Sequence, residues 1–127
     1  MTASRYDFRS VEPKWQDVWR RAGAGRTSER PSDPAKKRYV LTMFPYPSGD
    51  LHAGHLRNYT FGDTVSRYLR MRGYETMFPM GWDSFGMPAE QAAIKNGIHP
   101  GDWTLRNIAT ARRTFDRMGL AIDWDRE

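Results

Sequence analysis

No cysteine occurs among the 127 residues, which excludes disulfides and leaves a zinc site only histidine and carboxylate ligands. No apolar run approaches the ~18 residues of a membrane span, and MTASRYDFRS at the start lacks the apolar core of a secretory signal. A cytoplasmic protein without a membrane partner is the simplest expectation. Lysine is scarce in one part of the chain, Lys95 being the only one after Lys37. Histidine is scarcer still. Of three in total, two stand in PYPSGDLHAGHLRN, Pro45 to Asn58.

What is present is enough for one domain: a chain that is 39% hydrophobic and 13% aromatic can build a real core. The net charge of +5 is unevenly placed. Residues 1–38 carry ten Lys and Arg against five Asp and Glu, whereas 39–127 carry ten against ten. A basic segment suits an anionic partner such as nucleic acid, but is more often a solvated face.

Val11, Trp15, Val18 and Trp19 recur at helical spacing over 11–21, with Pro13 placed in a first turn. Residues 22–38 have no periodicity and read as a linker or exposed loop, so the expected division is 1–38, N-terminal helix and basic linker, then 39–127. YVLTMF, 39–44, predicts a strand buried on both faces. From His52 to about Arg72 the spacing predicts a helix with Leu56, Phe61, Val65, Tyr68 and Leu69 as its apolar stripe, ended by Gly73. A second strand is expected over 74–78 and a helix over 89–96 capped by Gly97. A last helix runs from Asp102 as N-cap through Leu105, Ile108, Ala111, Phe115 and Met118 to Gly119. The class is α/β, with parallel strands and crossover helices.

Such folds bind ligands beyond the carboxyl ends of their strands, so the loops after Phe44 and Phe78 should converge. In the first loop, Gly49 and Gly54 allow close approach to the backbone. The helix start adds unpaired N–H groups that suit a phosphate. His52 and His55, three apart, project to similar sides and can donate to one anion. Rival readings are a packed cap histidine, chance spacing, a general base, or a metal pair needing His99 or an acid as third ligand. In GWDSFGMP, Asp83 stands between Trp82 and Phe85. A carboxylate buried there is costly unless it pairs with an arginine or awaits a ligand ammonium.

The words MFPYPSGDLHAGHLRNYTFGD, GYETMFPMGWDSFGMPAEQAA and DWDRE closely resemble the N-terminal part of bacterial leucyl-tRNA synthetases, HAGH standing as the HIGH signature of class I aminoacyl-tRNA synthetases. The likeness runs from about Arg5 to the end. HxGH alone is shared with small nucleotidyltransferases; the combination of words is far more specific. The resemblance implies the first half of a Rossmann-like (HUP-type) nucleotide-binding domain, acting on leucine, ATP with Mg2+, and tRNA(Leu), with no metal held by this chain. It implies that His52, Gly54, His55 and Asn58 meet ATP and that the two imidazoles are catalytic. It also implies that Asp83 holds the leucine ammonium with the Phe44 carbonyl, while Met43 and Tyr46 shape the side-chain pocket. Ala53, Ser84 and Met87 are mild departures from the family's words. The KMSKS-type lysine loop, the second half of the nucleotide fold, the editing insertion, the zinc module and the anticodon-binding helices of the family have no counterpart in these 127 residues. The missing C-terminal part of the synthetase is therefore an expected partner. A stand-alone HxGH nucleotidyltransferase and a non-catalytic nucleotide- or amino-acid-binding paralogue are the alternatives.

Overall fold

A computed structural model describes residues 6–30 and 32–127; the first five residues of the expected N-terminal segment, Arg5 included, lie outside the described residues. Six elements follow in order: α1 (Phe8–Arg21), β1 (Lys37–Tyr39), α2 (Ala53–Met71), β2 (Glu75–Met77), α3 (Met87–Lys95) and α4 (Pro100–Met118). Single 3-10 turns stand at Pro34–Lys36 and Trp124–Arg126.

β1 and β2 pair in parallel, Lys37 opposite Glu75 and Tyr39 opposite Met77, so α2 is a crossover helix as expected. The Val40 N–H extends the ladder by donating to the Met77 carbonyl at 2.9 Å. A parallel bridge between Pro79 and Asp123, with the Asp123 N–H on the Phe78 carbonyl at 2.9 Å, lays the tail beside β2 on its other side. Tyr59, Phe78, Met80, Phe115 and Ile122 form the core, with Val40, Leu51, Trp82, Met118, Leu120 and Trp124 packed round it. Phe115 meets Tyr59 edge to face at 4.9 Å between ring centres, a favoured aromatic geometry.

The first strand departs from expectation. Ladder pairing covers only Lys37–Tyr39, and the extended chain beyond it alternates: Tyr39, Leu41 and Met43 are exposed while Val40 and Thr42 turn inward. Continuous apolar character fits burial on both faces, but among the described residues α2 packs on the Thr42 side while Tyr39, Leu41 and Met43 stay exposed.

α2 corrects the predicted stripe more sharply. Its buried residues are Tyr59, Gly62, Asp63 and Ser66, whereas Leu56, Phe61, Val65 and Tyr68 are exposed, Phe61 by 61%. Both sets have helical spacing, and distance decides between them. A Cβ at Gly62 would fall 2.5 Å from Thr42 Cγ2 and 2.8 Å from the Phe78 ring, so the helix rests against the strands on its smallest side chains. Asp63 is tolerated inside because Arg67 Nε and the Ala121 N–H donate to its two oxygens, each at 2.7 Å.

Two caps also differ. α1 begins at Phe8, capped by Asp7, so Pro13 sits in the helix interior rather than the first turn. α4 is capped by His99, whose Nδ1 accepts from the Gly101 N–H at 3.2 Å; Asp102 lies in the first turn. Residues 22–30 are largely exposed yet tied down at Gly25 and Thr27: Thr27 donates its N–H to Asp123 Oδ2 and its hydroxyl to the Thr76 carbonyl, and Arg70 donates to the Gly25 and Thr76 carbonyls. No helix among the described residues is long and apolar enough to cross a membrane.

Candidate active site

Pro45 and Pro47 are buried where the chain leaves β1, which stiffens the turn into α2. The loop after β2 meets it: the Asp83 N–H donates to the Pro45 carbonyl at 3.0 Å, and Gly81 lies so close to the Phe44 ring that a Cβ would come within 3.1 Å of Cε2. The two loops converge as expected.

His52 is the N-cap of α2. Its Nδ1 accepts from the Gly54 N–H at 3.0 Å, and its own N–H donates to His55 Nδ1 at 3.1 Å. Because each Nδ1 is an acceptor, the proton of each neutral ring sits on Nε2. The rings lie 3.9 Å apart at 32°, so two Nε2–H donors leave the same helix entrance side by side. Burial holds the His55 pKa below its ordinary value, and the neighbouring His52 adds to the effect. The Gly54 amide is taken by the His52 imidazole, so the imidazole Nε2–H groups stand beside the remaining helix amides as what this entrance offers an anion.

Gly54 gains a physical reason of its own. A Cβ there would stand 2.9 Å from Cε1 of His52, displacing the ring that caps the helix. Asn58, one turn on from His55, is half-buried, and its Nδ2 has no hydrogen-bond partner among the described residues. Met43, Phe44 and Tyr46 are exposed at the mouth of the two loops.

Asp83 is exposed, and among the described residues no ion pair engages it. The premise of a carboxylate buried among aromatics therefore fails: Trp82 turns into the core periphery, Phe85 is 91% exposed, and Asp83 points from the loop between them. Of the two partners considered for it, the arginine is the one not found among the described residues.

One supporting residue escaped the sequence reading. Tyr59 is fully buried, stacks parallel to His55 at 6.2 Å, and donates its hydroxyl to the Met43 carbonyl at 2.9 Å. Burial raises its pKa to about 12, so it remains a donor. Its place one helical turn from His55 was the available signal.

His99 is occupied as the cap of α4, and among the described residues no three His, Asp or Glu side chains gather as a metal site would require. A cavity of about 570 Å³ lies near the other end of α2, lined by Trp19, Arg67, Arg70, Gly119, Ala121 and Trp124 among others. Its arginines are already engaged, Arg67 with Asp63 and the Gly119 carbonyl, Arg70 with backbone carbonyls. The chemistry-bearing groups lie at the His52 end.

Residues 38–125 match the family model described as tRNA synthetases class I (M). The chain is 55% identical over 126 residues to a leucine–tRNA ligase of Gluconobacter oxydans, covering 99% of this chain and 15% of that protein. It is 56% identical over 124 residues to a leucine–tRNA ligase of Rhodospirillum centenum, covering 98% and 14%. The crystal structure of the ternary complex of Agrobacterium radiobacter K84 agnB2 LeuRS, tRNA and LeuAMS superposes with a TM-score of 0.88 at 48% identity, over 94% of this chain and 15% of that one. The chain thus spans about 15% of the length of the relatives it matches.

Proposed function

The chain belongs to the class I tRNA synthetases, and we propose that it forms the N-terminal part of the catalytic domain of a leucine–tRNA ligase working in the cytoplasm, residues 39–127 building the first half of the nucleotide fold behind the helix and basic segment of 1–38. The observation that carries this reading is the pair of imidazoles, each held through Nδ1, that present two Nε2–H donors at the mouth where the Asp83 loop meets the Phe44 loop.

In the reaction, a leucine carboxylate oxygen forms a bond to the α-phosphorus of ATP while the bond to pyrophosphate breaks. Leucyl-adenylate results, and a ribose hydroxyl of tRNA(Leu) then takes the leucyl group with release of AMP. Mg2+ travels with ATP as part of the substrate. His52 and His55 donate to the α-phosphate oxygens as charge builds on them, Gly54 and Asn58 border the nucleotide, and Asp83 takes the leucine ammonium. Met43, Phe44 and Tyr46 line the side-chain pocket. An exposed, uncompensated carboxylate costs little to keep ionised and is ready for a cation, which supports the Asp83 assignment better than burial would. Lys95 is the last residue of helix α3 and stands in the helix, not in a loop of its own, so compensation at the pyrophosphate falls to the rest of the ligase.

The test is leucine-dependent exchange of pyrophosphate into ATP by the ligase carrying this sequence, with Asp83→Asn beside it. Exchange that requires leucine, and a leucine KM raised at least tenfold by Asp83→Asn at unchanged ATP KM, is the expected result. Leucine-independent exchange would instead indicate an HxGH nucleotidyltransferase, and binding without exchange a non-catalytic paralogue.

A further inference from the structure

Tyr59 touches both halves of the candidate site without lining it. Its hydroxyl holds the Met43 carbonyl at 2.9 Å, at the end of the extended segment that carries Phe44. Its ring lies 5° from parallel to the His55 imidazole at a centroid separation of 6.2 Å. Phe115 of α4 closes the far side edge-on, and no part of Tyr59 is exposed to solvent, so the ring has one available orientation. A phenylalanine would fill the same core space. The hydroxyl ties the strand end to α2 by a directed hydrogen bond, beside the close approach of Thr42 to Gly62.

We propose that Tyr59 is a positioning residue that sets the leucine-binding strand end against the ATP-binding helix entrance. The inference rests on the leucine–tRNA ligase reading. The peptide between Met43 and Phe44 carries the Met43 carbonyl, so holding that carbonyl fixes the orientation of the chain leading to the Phe44 carbonyl. Loss of the hydroxyl loosens the ammonium-binding side and leaves the imidazoles in place. Loss of the whole ring also frees His55 to turn. The two effects fall on different kinetic parameters. The first weakens leucine and the second slows adenylation.

The experiment compares wild-type ligase, Tyr59→Phe and Tyr59→Leu by leucine-dependent pyrophosphate exchange, with leucine and ATP varied separately and thermal denaturation run on each. Tyr59→Phe is expected to raise the leucine KM by about 3- to 10-fold, the worth of one lost hydrogen bond, with ATP KM and kcat nearly unchanged. Tyr59→Leu is expected to lower kcat as well. Incorporation of 4-aminophenylalanine at position 59, which restores a donor on the same ring, should return the leucine KM toward the wild-type value. A wild-type enzyme without leucine-dependent exchange overturns the ligase reading and this inference together. An active wild-type enzyme whose Tyr59→Phe variant keeps its leucine KM, or is unfolded, overturns this inference alone, since a purely structural tyrosine would change stability without separating the two substrates.

Discussion

Each imidazole at the entrance of α2 does two things with its two nitrogens. Nδ1 accepts a backbone N–H and so fixes ring and tautomer; Nε2–H is left to act. Asparagine at either position keeps an acceptor for the backbone and a donor for the ligand, but on a shorter side chain that cannot satisfy both at their present separation. His52→Asn and His55→Asn are therefore expected to lower the adenylation rate by about 10²–10³-fold, the usual loss for one donor of a preorganised site, while ATP binding changes far less. Pre-steady-state adenylation beside equilibrium ATP binding makes the comparison. A raised KM for ATP at unchanged turnover would contradict the assignment. HAGH was readable as two imidazoles at one helix entrance because two of three histidines fall within one helical turn. Its hydrogen bonding was not, since which nitrogen accepts depends on the φ and ψ of the cap residue.

At the scale of elements, α2 is the part whose behaviour differs most from its sequence pattern. Leu56, Phe61, Val65 and Tyr68 face outward, and apart from the buried Tyr59 it is small or polar residues that lie inward, since Gly62 allows an approach that Phe61 or Val65 would block. The helix is then locked by a polar device: Asp63 receives Arg67 and the Ala121 N–H, and Arg67 also reaches the Gly119 carbonyl. Asp63→Ala would leave a guanidinium and a backbone N–H without that acceptor. At about 1–3 kcal/mol for each partly buried group left unpaired, the melting temperature of the ligase should fall by several degrees, more than for Thr64→Ala at an exposed polar position of the same helix. Equal losses for the two variants would show that the clamp is not what holds α2. The glycines ending these helices were legible, because Gly73, Gly97 and Gly119 all adopt positive φ immediately past a helix, a local requirement. The α4 cap was misjudged for an equally local reason. Asp102 has a good capping side chain, but Pro100 favours the first helical turn and moves the cap to His99.

For the molecule as a whole, the unpartnered surface matters most. Among the described residues β1 has a neighbour on one edge only, Tyr39, Leu41 and Met43 alternate to an exposed face, and Leu56, Phe61, Val65 and Tyr68 are exposed on α2. An open strand edge beside apolar side chains favours association. Residues 1–127 purified alone are expected to self-associate in sedimentation velocity and to leave tRNA uncharged, and to recover leucine-dependent activity when the remaining ligase segment is added in trans. A stable monomer that charges tRNA unaided would overturn the expectation.

Sequence alone determined the order of elements, the C-terminal ends of the helices, the placement of HAGH at a helix entrance and the likeness to class I synthetases, because each depends on residues within a few positions of one another. Only the tertiary structure decided which stripe of α2 is buried, that Asp83 is exposed, that Thr27 is tied to Asp123 and Thr76, and that Tyr59 bridges His55 and Met43. Periodicity reveals that a helix has two faces. Which of them packs is settled by the closeness of a partner far along the chain, here Thr42 and Phe78 pressing where only Gly62 has room.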